Sequence, residues 1–97
     1  MNNKLLKFEE ICNIYNIEPS FLKEIYNFEI ITFIEEENTL WLEEDMIDKL
    51  EKVIRLHKEL GVNLEGIDII INLLEKIEKL EEELLEVKRK LAFFEEL

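Results

Sequence analysis

Apolar residues recur three and four places apart along most of this chain, and the breaks in that rhythm mark out its elements. Phe8, Ile11, Cys12 and Tyr15 form one stripe of a first helix over residues 7–15. Asn16, Ile17 and Glu18 interrupt it, and Pro19 suits the first position of a second helix, where its missing N–H costs nothing. That helix, residues 19–27, turns Leu22, Ile25 and Tyr26 inward and leaves Lys23, Glu24 and Asn27 outside. Two short helices joined by a tight three-residue turn make a helix-turn-helix-like unit.

The rhythm then changes. Ile30, Ile31, Thr32, Phe33 and Ile34 are β-branched or aromatic, Glu35 to Asn38 are polar, and Thr39, Leu40, Trp41 and Leu42 again favour a strand. This predicts a β-hairpin with Asn38 in the left-handed conformation. Glu43, Glu44 and Asp45 follow where the positive end of a new helix would sit. Met46, Ile47, Leu50, Val53, Ile54, His57 and Leu60 carry that third helix towards Gly61, which reads as its C-cap.

From residue 63 to residue 97 the pattern is unbroken. Ile70, Ile77, Leu84 and Leu91 take the a positions of a heptad repeat, and Leu73, Leu80, Val87 and Phe94 the d positions. At ~1.5 Å per residue such a helix runs about 50 Å, roughly twice the diameter of a 60-residue head. Its outer half cannot be covered by its own chain, so these eight residues are the expected interface of a homodimer. Lys76, Glu83 and Lys90 fall at g, with Glu81, Lys88 and Glu95 at e. A parallel pair sets each g beside an e′ of opposite sign, worth a few tenths of a kcal/mol per pair. An antiparallel pair centred near Leu84 joins Glu81 with Lys88 but brings Lys76 near Lys90, so charge favours the parallel form. Gly66 breaks the helical run at a cost of ~1 kcal/mol, which points to close packing or a cap beside Asn63. The expected architecture is a mainly α protein, with a winged helix-turn-helix head over residues 1–62 and a long coiled-coil helix over 63–97.

Composition narrows the function. The 97 residues include 24 acidic and 12 basic ones, a net charge of −12, yet 47% are hydrophobic, more than a disordered chain carries. Up to Leu42 there are three basic and eight acidic residues, beyond it nine and sixteen, so no basic lobe hides in the average. DNA and anionic membranes select proteins that present Lys and Arg. An acidic protein of this size is better suited to a basic patch on another protein. A single Cys excludes an internal disulfide. No membrane-spanning run and no signal-peptide pattern is visible, so the expected location is the cytoplasm. No phosphate loop, nucleophile elbow or zinc spacing is present, so neither catalysis nor a cofactor is expected.

Single residues invite sharper readings. Cys12 reads as core, and His57 as packing at the core edge, having no Asp, Ser or Cys placed to complete a triad. Trp41 reads as an anchor between the hairpin and the following helix. Lys23 and Asn27 stand where a DNA-reading helix carries its contacts, but Glu24 and Glu29 are beside them and the wing tip is Glu35, Glu36 and Glu37. Those three wing carboxylates suit a soluble turn or a basic partner better than phosphate.

The order of elements resembles the MerR-like winged-helix superfamily. Within it the second half resembles the chaperone-modulator (CbpM-type) family. The matching residues are Leu40-Trp41-Leu42-Glu43-Glu44-Asp45, Arg55-Leu56, and Leu60-Gly61-Val62-Asn63-Leu64-Glu65-Gly66-Ile67, followed by Leu73-Leu74. Two features depart from the pattern. Leu42-Glu43 replaces the usual Ser or Thr cap before the third helix, and the tail is richer in Glu and Lys. The resemblance implies a regulator that binds the J-domain of a DnaJ/CbpA-like co-chaperone through that domain's basic face and inhibits it. The family-like residues cluster where the third helix meets the fourth, making Arg55, Glu59, Asn63 and Glu65 the expected docking surface, with Glu35, Glu36 and Glu37 next. An ordinary competing role for Asn63 is to cap the fourth helix. The alternative function is a MerR-like DNA-binding transcriptional regulator, and the plainest is a coiled-coil adaptor.

Overall fold

A computed structural model describes residues 4–96; residues 1–3 and residue 97, the last of the expected fourth helix, lie outside the described residues. Helix α1 (Phe8–Tyr15) carries Glu9 and Glu10 in its first turn, where carboxylates favour the helix dipole. It ends on Asn16 at φ 52°, a left-handed cap that Asn tolerates, and the Ile17 amide donates back to the Cys12 carbonyl at 3.1 Å. Helix α2 (Pro19–Asn27) begins on Pro19, and the Glu18 carbonyl accepts from the amides of Phe21 and Leu22. The turn between the two helices is the expected three residues, with Ile17 buried in it.

Three antiparallel strands form a small sheet ordered β1 (Leu5–Lys7), β3 (Thr39–Glu43), β2 (Ile34–Glu36). Strands β2 and β3 make the hairpin, with Ile34 opposite Trp41 and Glu36 opposite Thr39. Glu37 and Asn38 turn it with φ of 50° and 62°, the paired positive angles of a two-residue I′-type loop. The expected strand over residues 30–34 is corrected. Ile30, Ile31 and Phe33 are all buried, which a strand with one solvated face cannot achieve for consecutive residues. Glu29 at φ 58° ends α2, and the chain dips irregularly through the core before pairing begins at Ile34. Strand β1 completes the sheet, pairing Leu6 with Leu42.

One 3-10 turn (Glu44–Met46) leads into α3 (Ile47–Lys58), which buries Leu50, Val53 and Ile54. The helix stops before Leu60, which is exposed rather than on the expected inward stripe. Gly61 at φ 65° closes the end, its amide donating to the His57 carbonyl at 3.1 Å. Helix α4 (Leu64–Glu95) follows, 32 residues or ~48 Å long. Its first turns pack on α3 through Leu64, Ile67 and Ile71, and Lys49 reaches Glu75 at 3.0 Å. The core gathers Ile11, Leu22, Ile25, Ile31, Leu42, Leu50, Val53 and Ile67 from every layer of the head. The rest of α4 extends past it, giving extents of 58 × 35 × 20 Å.

Trp41 does not anchor the hairpin to the helices. Leu40 and Leu42 face the core, so alternation puts Trp41 on the other side of β3, opposite Lys7, whose Nζ lies 5.5 Å from the ring centroid. Leu42 is the anchor.

Candidate functional site

The face formed by α2 and the hairpin is the one a helix-turn-helix protein turns towards DNA. Here Lys23 is bent over the Tyr26 ring at 5.0 Å, and Glu24, Asn27 and Glu29 are exposed around it. A groove of about 340 Å³ separates the hairpin from the helices, with Lys7 and Lys23 matched by Glu9 and Glu35 in its lining. Glu36 and Glu37 carry the acidic tip further out, both exposed. Negative charge at the advancing edge repels phosphate rather than releasing counterions from it.

The junction of α3 with α4 holds the second group of expected residues. Asn63 is the N-cap of α4, its Oδ1 accepting from the Gly66 amide at 2.8 Å. A Cβ on Gly66 would meet Val62 Cγ1 at 2.9 Å and Asn63 Oδ1 at 3.2 Å, so both a cap and close packing account for the glycine. His57 stacks on Phe21 with centroids 4.3 Å apart, and its Nδ1 lies 3.2 Å from the Val62 carbonyl, the arrangement of an Nδ1–H donor. Thus Gly61, Asn63, Gly66 and Ile67, four of the residues that carry the family resemblance, are each accounted for by the turn itself. Arg55, Glu59 and Glu65 are exposed around it, while Glu35, Glu36 and Glu37 belong to a different element, the hairpin.

The heptad seam faces away from the head. Leu64, Ile67 and Ile71, which the head covers, fall at b and e positions. Ile70 is half-buried, and Leu73, Ile77, Leu80, Leu84, Val87, Leu91 and Phe94 are all at least half exposed. Helix α4 therefore carries two apolar stripes, one used by its own head and one unpartnered.

Several groupings were not legible as chemistry in the sequence. The Tyr15 hydroxyl donates to Glu51 Oε2 at 2.8 Å. Burial, that hydrogen bond and the charges of Glu51 and Asp48 push the phenol up to about 12. Lys58 donates to the carbonyls of Tyr15 and Asn16 at 3.3 and 3.0 Å, tying the end of α1 to α3. Beside this tie lies a groove of about 390 Å³ between α1, β1 and the start of α3. Only Ile14, an apolar residue on the polar side of α1, hinted at it.

Cys12 is buried, and burial above all, with the charges of Glu18 and Glu9, pushes its thiol up against the lowering effect of its own backbone hydrogen bond. Among the described residues no three His, Cys, Asp or Glu side chains are grouped to hold a metal ion. No helix among them is long and apolar enough to cross a membrane.

The family described as "MerR HTH family regulatory protein" matches the chain over residues 6–89, from within β1 through the rest of the head and most of α4. No curated protein matches the chain significantly.

Proposed function

The chain belongs to the MerR HTH family of regulatory proteins, and within it we propose a protein-binding regulator that has given up the DNA-reading use of the fold. The observation that carries this is the charge of the α2–hairpin face. Lys23 is its one cation on α2, against Glu24, Glu29, Glu35, Glu36 and Glu37, in a chain of net charge −12. The partner is a protein with a basic surface. Its identity as the J-domain of a DnaJ/CbpA-like co-chaperone, held and inhibited by occlusion of its basic face, is supported by the chaperone-modulator resemblance in residues 40–45 and 55–56. Complementary charge would speed the encounter and make it salt-sensitive. The unpartnered seam of α4 supports a homodimer as the working form.

Calorimetry with an isolated J-domain tests the partner, with binding that weakens as salt rises as the expected result. Absence of binding at low salt removes the J-domain from the reading. The second reading, a transcriptional regulator, is favoured by the family and by the outward-facing α2. Fluorescence anisotropy with a random duplex should show no binding at ~150 mM salt. Sub-micromolar binding to a duplex from near its own coding sequence would establish the second reading instead.

A further inference from the structure

We infer that the groove between α1, β1 and the start of α3 is a docking site for a basic amphipathic helix of a partner protein. Leu6, Tyr15 and Ile47 are half-buried and rest on the core, forming its apolar floor. Ile14 stands above them with 62% of its surface exposed. On α1 its neighbours one turn back are Glu10 and the fully buried Ile11, so Ile14 does not serve the core stripe. Exposed apolar residues scattered singly need no explanation. Here the exposed Ile14 and three half-buried apolar residues from three elements meet in one groove, and that concentration does need one.

The rim chooses the occupant. Glu44 and Asp48 line one edge of the groove along the 3-10 turn and α3, and Glu51, one turn beyond Asp48, continues that edge beside Tyr15. Glu51 is already oriented by the Tyr15 hydroxyl. The cation in the groove lining is Lys4, at the β1 end, and Lys58 nearby is engaged by the carbonyls that close α1. An apolar trough between two helices, edged by carboxylates on its α3 side, fits a helix that sets Leu or Ile into the trough and Lys or Arg along that side. The α4 seam is left to a second copy. The junction of α3 with α4 has Asn63 committed to its cap and offers the single exposed Leu60. This inference rests on the proposed function only for which protein carries the helix.

The test uses the full chain with isoleucine methyl groups labelled for NMR, because Ile14 and Ile47 report on the groove while Ile70 and Ile77 report on the seam. Two probes are titrated: an isolated J-domain and an amphipathic Lys/Leu helical peptide. Each should shift the Ile14 and Ile47 methyls, and Ile14→Lys should weaken each about tenfold or more while leaving helicity and melting unchanged. Asp48→Lys should weaken both and flatten their salt dependence, and it decides the matter if Ile14→Lys fails to fold. J-domain binding that survives both variants, or that is lost instead in Glu59→Lys with Glu65→Lys, overturns the groove and leaves the proposed function standing. A J-domain that does not bind, with a peptide that binds at Ile14, removes the J-domain and keeps the groove. Shifts confined to Ile70 and Ile77 overturn the groove. So do Ile14 shifts produced by concentrating the protein alone, which would make a second copy the occupant.

Discussion

Replacing Leu80 and Leu84 together with Lys is the sharpest probe of the long helix. Both lie beyond the reach of the head and are 63% and 54% exposed in the single chain, so more than half of each side chain remains to be covered. Fully burying a Leu is worth ~1.5–3 kcal/mol, and covering the exposed remainder roughly 1–1.5 kcal/mol. A dimer has four such side chains, so the double substitution removes roughly 4–6 kcal/mol from association, before any cost of placing Lys in an apolar seam. At 1.4 kcal/mol per decade the dissociation constant should rise about 10³–10⁴-fold. Sedimentation equilibrium at micromolar concentration should show a wild-type dimer and a monomeric variant. The head should persist, because Leu64, Ile67 and Ile71 hold α4 through a different stripe. Far-UV ellipticity should fall partway as the uncovered end of α4 frays, since a helix without tertiary packing is marginal in water. A wild-type monomer across that range, or a variant that remains dimeric, refutes the assignment of the seam.

Three further outcomes follow from the head. Asn63→Ala should cost about 1 kcal/mol in chemical denaturation through loss of the cap on the Gly66 amide. Gly66→Ala should fail to deliver the ~1 kcal/mol that Ala normally gains in a helix, because its Cβ meets Val62 Cγ1 at 2.9 Å; in a Val62→Ala background the gain should return. Tyr15 should titrate near 12 while its phenol is held neutral by burial and by Glu51. Because its folded pKa lies above the unfolded value of ~10, its stabilisation is complete below pH ~10 and is lost as pH rises through about 12. Ultraviolet titration of Tyr15→Phe should lack the late-ionising phenol, and a single unchanged titration curve in both proteins would contradict the geometry.

The helices were legible because their signals are local. Pro19 at the start of α2, Gly61 after α3 and Asn63 before α4 each act within a turn of their own position, and the heptad of α4 repeats often enough to be unmistakable. What escaped notice depends on distant partners. Strand β1 is three residues long and exists only because β3 offers it an edge, with Leu6 opposite Leu42. Residues 30–33 have strand-like side chains, but burial on both sides removes the alternation by which a half-buried strand is recognised. Trp41 and Leu42 are adjacent, and which of them faces inward depends on register, which the hairpin turn at Glu37 and Asn38 fixes. Among the candidate surfaces the seam was fully visible in sequence. The groove was not, because Leu6, Ile14, Tyr15 and Ile47 come from three elements whose approach only the fold determines.

The junction shows why a family signal and a binding signal must be separated. Gly61 supplies a positive φ, Asn63 a cap, Gly66 room for Val62, and Ile67 a fully buried side chain. Any member of the fold that makes this turn needs such residues, whatever it binds, so their presence identifies the architecture and leaves the partner open. The carboxylates of α2, the hairpin and the rim of the α1–α3 groove are the reverse case. Glu24 on α2, Glu35, Glu36 and Glu37 on the hairpin, and Glu44, Asp48 and Glu51 at the rim are exposed. A helix-turn-helix scaffold is indifferent to the sign of its surface, whereas a phosphate backbone is not. The residues that the fold does not require are the ones that carry function, and on the α2–hairpin face most of the charged ones are acidic, with Lys23 the one cation on α2.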